Sequence, residues 1–245
     1  MTSERALVKP SAGPLPRLEV VGSEVAPELD LDRPRLIVAG YTGRDEAAVT
    51  AHIRELSAIG IPPPDSVPCF YELDPCLLST APVIEVNSRQ TSGEVEPVLI
   101  RHGNKYYLGI GSDHTDRGLE RVDIEASKKS CPKPIGKQVF SLPASFADLA
   151  WDSMRIESIV DGVLYQQGTL SSLRAPADLL AKMTRTLGDI EGDLVVFMGT
   201  LPLLHGSFVY GRHWQCSLTL SAGKTQTHRY ETKWRNASCA LAVNI

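Results

Sequence analysis

Two strand-forming runs, Glu94 to Arg101 and Tyr106 to Ser112, are separated by His102-Gly103-Asn104-Lys105. Gly-Asn in a short polar break is the signature of a two-residue hairpin turn. No other segment constrains the fold as tightly, because a turn of fixed length fixes the register of both strands. Antiparallel pairing about it sets residue 94 opposite residue 113, which is Asp113. Glu94 and Glu96, two apart on a strand, leave from the same face. Three carboxylates are thereby directed to one patch, where like charges destabilise a sheet unless something compensates. A divalent cation is the simplest compensation. An all-oxygen set suits Mg²⁺ or Mn²⁺, with Ca²⁺ behind them, over zinc, which prefers nitrogen and sulfur. Three protein ligands leave positions open for water and substrate. The same residues also fit a solvated acidic face with Asp113 capping a turn, and a slip of one residue separates Asp113 from the pair.

The remaining elements follow from apolar patterning. Arg35-Leu-Ile-Val-Ala-Gly40 predicts a buried strand, and Asp193 to Thr200 another. Thr42 with Asp45 resembles a capping box that starts a helix running to about Ile59, ended by Pro62, Pro63 and Pro64. On that helix His52 and Glu55 share a face. With Val49, Ile53, Leu56 and Ile59 as the apolar stripe, His52 falls inside it and Glu55 at its margin. The pair is read either as turned partly inward or as a solvated surface pair. Residues 118–138 read as a loop crossing toward the core. A turn at Asp161-Gly162 lies within Ile156 to Tyr165, Pro176 and Gly188 bracket a second helix, and Trp214 to Tyr230 forms a closing hairpin about Ala222-Gly223. The class is strand-dominated α+β. Residues 1–33, rich in Pro and Gly, form an extended lead-in to a single domain spanning 34–245.

At 245 residues and a net charge of −4, the chain can bury a full core and carries no electrostatic footprint for nucleic acid or an anionic membrane. No apolar run approaches the length of a membrane span. The first residues lack the apolar stretch of a secretory signal, and the five cysteines show no paired short spacing. Buried thiols in a reducing compartment are expected, with the cytoplasm as location.

Several short motifs, in order, carry a family likeness. Ser92-Gly-Glu-Val-Glu-Pro97 resembles the Glu-x-Glu metal motif of the fumarylacetoacetate hydrolase family, and Gly111-Ser-Asp-His-Thr-Asp-Arg117 resembles its metal-aspartate segment. Lys128-Lys-Ser-Cys-Pro132, Asp161-Gly-Val-Leu-Tyr-Gln-Gln-Gly168 and Met198-Gly-Thr-Leu-Pro202 are similar to three stretches that follow in that family. Residues 36–75 match its opening strand, helix with His-x-x-Glu, Pro-rich turn and Phe-Tyr. The likeness is nearest to a branch known only as a domain of unknown function. The hairpin after Glu96 is shorter than in the family, Gly118 stands where an aspartate is common, and Glu120 stands where a glutamine is common.

The resemblance implies a mixed β-sheet roll with flanking helices, homodimeric, with Glu94, Glu96 and Asp113 as metal ligands. It implies that Glu55 orients His52, which deprotonates a water, on a helix closing over the metal. Lys128 then stabilises an enolate. Arg117, Gln166 and Thr200 bind a small oxo-acid, although Arg117 and Lys128 also fit ordinary surface charge and Gln167 competes with Gln166 as the inward residue. His114, following Asp113, is expected in the core and not as a ligand. The implied reaction is cleavage of a C–C bond in an acylpyruvate or β-diketone by water attack. Decarboxylation, tautomerisation or isomerisation of an oxo-acid or a specialised-metabolite intermediate uses the same site. A non-catalytic binding protein on the same scaffold is the alternative of a different kind.

Overall fold

The computed structural model describes residues 15–22, 27–58 and 63–235. Its centre is Leu194–Phe197, flanked by Arg35–Gly40 in parallel and by Val95–His102 antiparallel. Strands covered on both faces read as uninterrupted apolar runs, which is why these segments carry no alternation in sequence. The pleat nonetheless sorts their side chains. Ile37, Leu99 and Val196 enter one core, while Leu36, Val38, Val98, Ile100, Val195 and Phe197 enter the other.

The eight-stranded mixed sheet continues outward from Val95–His102 through Lys105–Ser112, Gln138–Ser141, Leu18–Val21 and Glu28–Leu29, and it ends on its other side at Cys69–Leu73. A five-stranded sheet packs on the first core. It runs Val163–Thr169, Arg155–Val160, His213–Thr219, Thr225–Trp234, Val83–Val86. Trp214, Cys216, Leu218 and Tyr230 are its contribution to that core. Such a strand-dominated α+β arrangement with a curled mixed sheet is the class expected from the sequence.

Several elements differ from the sequence expectations for identifiable reasons. In the lead-in, Leu18–Val21 pairs with Gln138–Ser141 and Glu28–Leu29 pairs with Leu18–Val21, so the described part of residues 1–33 forms the edge of the main sheet. Leu18 is fully buried there, through pairing with a segment distant in sequence. The helix Glu46–Ala58 is capped by Asp45, which accepts from the amides of Ala47 and Ala48 at 2.9 and 3.1 Å. Thr42 is not its cap. It is buried against Gly199, and its carbonyl accepts the amide of Arg174 at 3.0 Å. The segment read as a loop contains helices Arg117–Glu120 and Ile124–Lys129, capped by Asp116 and Asp123. Four and six residues are too few to show a helical period.

The turns follow their local chemistry. Asp161 and Gly162 both have positive φ, 47° and 84°, matching the right-handed twist of the hairpin they close. Helix Pro176–Leu187 starts on its proline, sends Leu179 and Met183 into the core and stops at Gly188 with φ 77°. Among the described residues no helix is long and apolar enough to cross a membrane. Cys69, Cys76, Cys131 and Cys216 are free thiols; Cys239 lies outside the described residues.

Candidate metal centre

The hairpin register pairs Val95 with Ser112, and one step further the amide of Asp113 donates to the carbonyl of Glu94 at 3.0 Å. Asp113 therefore stands opposite Glu94, with Glu96 two residues along. Asp113 is fully buried and Glu96 is 3% exposed, whereas the Glu94 side chain retains 18% exposure.

Each carboxylate has a different partner. Asp113 is hydrogen-bonded by the Lys128 ammonium and lies 3.1 Å from the Lys133 ammonium. Glu94 Oε2 lies 3.0 Å from Arg117 Nη2, close enough for an ion pair but without the angle of a directed hydrogen bond. Glu96 Oε2 accepts the amide of Gly199 at 2.7 Å. That amide is placed by the end of the buried strand Leu194–Phe197, where Gly199 turns with φ +95°.

The charges follow this division. Burial raises the Asp113 pKa, but Lys128 and Lys133 outweigh burial and hold it below the ordinary range. Burial raises Glu96, and the negative charges of Asp113 and Glu94 raise it further, so it lies well above the usual carboxylate range. Lys128 is opposed by burial yet held above its usual value by Asp113, Glu94 and Glu96 together. Its ammonium thus stands electrostatically among all three acids. Lys128 and Lys133 answer Asp113 and Arg117 answers Glu94, which is most of the compensation that crowded carboxylates require.

Among the described residues, no three Asp, Glu, His or Cys side chains stand close enough, as placed, to hold an ion. The donor chemistry nevertheless fits one. All the oxygens are hard donors, and Glu96 is buried beside two further acids with a single amide as its bonded donor. A cation held by those oxygens would add positive charge beside the buried Glu96 carboxyl, whose bonded donor is a neutral amide.

The other residues singled out in sequence are distributed as follows. The side chain of His52 lies outside the described residues, and Glu55 is exposed. Their helix has Val49 and Ile53 half-buried and no described side chain fully buried. Arg117 is 3% exposed and bonded through two of its three nitrogens, with Nη2 only ion-paired to Glu94. Nε donates to Ser92 Oγ at 2.7 Å, Nη1 to both Glu120 oxygens at 2.9 Å, and the ring of Phe208 covers the guanidinium at 3.9 Å. Gln166, not Gln167, points inward. Its Oε1 accepts from the Val95 amide at 2.9 Å, and its Nε2 donates to Thr200 Oγ1 and the Leu201 carbonyl. Thr200 Oγ1 in turn donates to the Val95 carbonyl at 2.8 Å. Gln166 and Thr200 thus fasten the strand that carries Glu96. His114 is buried between Tyr230 Oη and Thr91 Oγ1, at 3.1 and 3.0 Å, and burial, Lys133 and Arg117 lower its pKa to about 3.

Sequence reasoning missed Lys133, the Gly199 amide and Phe208. Lys133 has no exposed surface and donates to the carbonyls of His114 and Lys128 at 2.7 and 2.5 Å. The one sign of it was a lysine set between Pro132 and Pro134. A cleft of about 650 Å³ lies elsewhere, lined by Phe146, Trp151, Arg44 and Arg174 and by none of the three acids. Its arginines are already paired, Arg44 with Asp152 and Arg174 with Asp178 and Glu46.

Solved structures share this fold. A fumarylpyruvate hydrolase from Pseudomonas aeruginosa, in complex with Mn²⁺ and pyruvate, superposes with a TM-score of 0.61 at 16% identity, over 94% of this chain and 99% of that one. A protein from Oleispira antarctica described as a fumarylacetoacetate isomerase/hydrolase gives 0.62 at 17%, over 84% and 95%. The 5-carboxymethyl-2-hydroxymuconate delta-isomerase of Mycobacterium smegmatis gives 0.57 at 15%, over 91% and 92%. Among curated proteins no sequence matches. The family model described as "Protein of unknown function (DUF2848)" matches residues 39–230, so the chain belongs to that family and has a fumarylacetoacetate hydrolase-like fold.

Proposed function

We propose that this protein is a divalent-metal-dependent enzyme that hydrolyses a C–C bond in a small oxo-acid of the acylpyruvate or β-diketone type. The observation that carries the proposal is the buried Glu96 beside Asp113 and Glu94, its carboxyl bonded by the Gly199 amide and raised well above the usual carboxylate range. The Mn²⁺ and pyruvate in the P. aeruginosa fold relative support the reading. Glu94, Glu96 and Asp113 would hold Mg²⁺ or Mn²⁺, and the chemistry a bound cation supplies there is polarisation of the substrate's oxo-acid oxygens.

The protein's own groups perform the rest. His52, oriented by Glu55, takes a proton from water as the water oxygen adds to the acyl carbonyl carbon. The adjoining C–C bond breaks, its electron pair passes toward the oxo-acid oxygen beside the Lys128 ammonium, and a proton returns to carbon. Arg117 holds Glu94 in place, and Gln166 and Thr200 hold the strand beneath Glu96.

Metal response is the test. At about a hundredfold excess over its Kd, Mn²⁺ is expected to raise Tm by about 5–10 °C, reversed by chelation. Glu94→Gln is expected to remove that shift; a full shift in this variant would mean that the ligands are others. Because Glu96 holds its proton above the usual carboxylate range, cation entry expels it. Mn²⁺ affinity is therefore expected to rise with pH, and the binding heat to depend on the buffer's ionisation enthalpy. His52→Ala is expected to keep the metal response while slowing acylpyruvate hydrolysis by about 10²–10⁴-fold. Persistent turnover in His52→Ala would favour decarboxylation.

A further inference from the structure

Leu204, Phe208, Val209 and Tyr210 stand between 39% and 48% exposed within one short segment. Scattered exposed apolar side chains need no explanation, but several together mark a contact surface. The segment is anchored at both ends. The Leu204 amide donates to the Tyr165 carbonyl at 3.0 Å. The Gly211 carbonyl accepts from Trp214 Nε1 and Thr232 Oγ1, both at 3.0 Å, and a Cβ on Gly211 would lie 2.2 Å from Val160. The segment holds four apolar side chains up to solvent, and one of them, Phe208, lies against the arginine of the acidic centre.

Phe208 fixes the segment's relation to that centre. Its ring covers the guanidinium that joins Glu94 to Glu120, and these are the carboxylates that retain exposure, 18% and 21%. Tyr165 Oη, buried beside Ser92 and the Val209 backbone, makes no well-formed hydrogen bond.

We propose that residues 204–210 receive the non-reacting end of the substrate, and that this end is an uncharged aromatic or branched aliphatic group. The inference rests on the oxo-acid reading of the same site. A second carboxylate at this end would approach Glu94 and Glu120. The nearby guanidinium is committed to Ser92, Glu120 and Glu94, with its face against Phe208. An apolar end instead meets side chains that already stand uncovered.

Calorimetric binding of phenylpyruvate and of 2-oxoglutarate to the Mn²⁺-loaded protein tests this without requiring turnover. Phenylpyruvate is expected to bind about tenfold or more tightly than 2-oxoglutarate, and Phe208→Ala is expected to bring the two close to parity. Tighter 2-oxoglutarate, binding of neither acid, or an unchanged preference in Phe208→Ala each overturns the inference. If Phe208→Ala instead splits an oligomer on gel filtration while the preference persists, the segment belongs to contact with a second copy. Absence of acylpyruvate cleavage with the preference intact would sink the hydrolytic reading and leave this inference standing.

Discussion

Asp113→Asn is expected to lower stability by about 3–5 kcal/mol, because it removes the shared counter-charge of two buried ammonium groups. Lys133 has no exposed surface, and the Lys128 side chain retains 9%. As placed, both ammonium groups would be left buried beside a neutral amide. Urea denaturation checks this, and a loss under about 1 kcal/mol would mean that the pairs are not formed in solution. The pH profile gives an independent reading. Asp113 is held below its ordinary pKa, so its contribution is complete above the usual carboxylate range and is lost as pH falls through and below that range. Glu96 has the opposite sign. Its pKa is raised, so its neutral form favours the folded state at low pH, and that contribution is lost as pH rises through the folded-state value. The wild-type protein is therefore expected to lose stability toward strong acid more steeply than Asp113→Asn. Added Mn²⁺ should offset the loss caused by Glu96 ionisation.

Gly199→Ala is the second large effect, at about 2–5 kcal/mol. Gly199 has φ +95°, and a Cβ there would lie 1.8 Å from Thr42 Oγ1. Backbone strain and overlap therefore act together. The overlap is with a side chain, so Thr42→Ala in the same chain is expected to recover part of the loss, leaving the strain of the left-handed backbone. Gly199 also donates its amide to Glu96, so weaker Mn²⁺ binding is expected in the single variant. Equal stability of wild type and Gly199→Ala would show that this turn is not formed as described.

Much of the acidic hairpin was legible because its information is local. Gly103-Asn104 fixes the turn, the turn fixes the register, and the register sets Asp113 against Glu94. Pro176 and Gly188 likewise mark their helix from its ends inward. The capping assignment at Thr42 failed because Asp45, also a cap former, lies nearer the first helical turn, and Thr42 is drawn into packing against Gly199 instead. The helices at 117–120 and 124–129 are too short for a period, leaving only Asp116 and Asp123 as their signs.

By itself the sequence determined the strand-dominated class, the hairpin with its face of acids, and the order of motifs. Each of these depends on neighbours in the chain, where spacing and turn chemistry act directly. Only the tertiary structure decided which charge answers which acid. Lys128 and Lys133 reach Asp113 from beyond the hairpin, Gly199 reaches Glu96 from the turn after another strand, and Phe208 covers Arg117 from a distant loop. Such pairings are settled when two sheets close on a common core, because burial removes the water that would otherwise answer each charge and leaves only what the packing brings near.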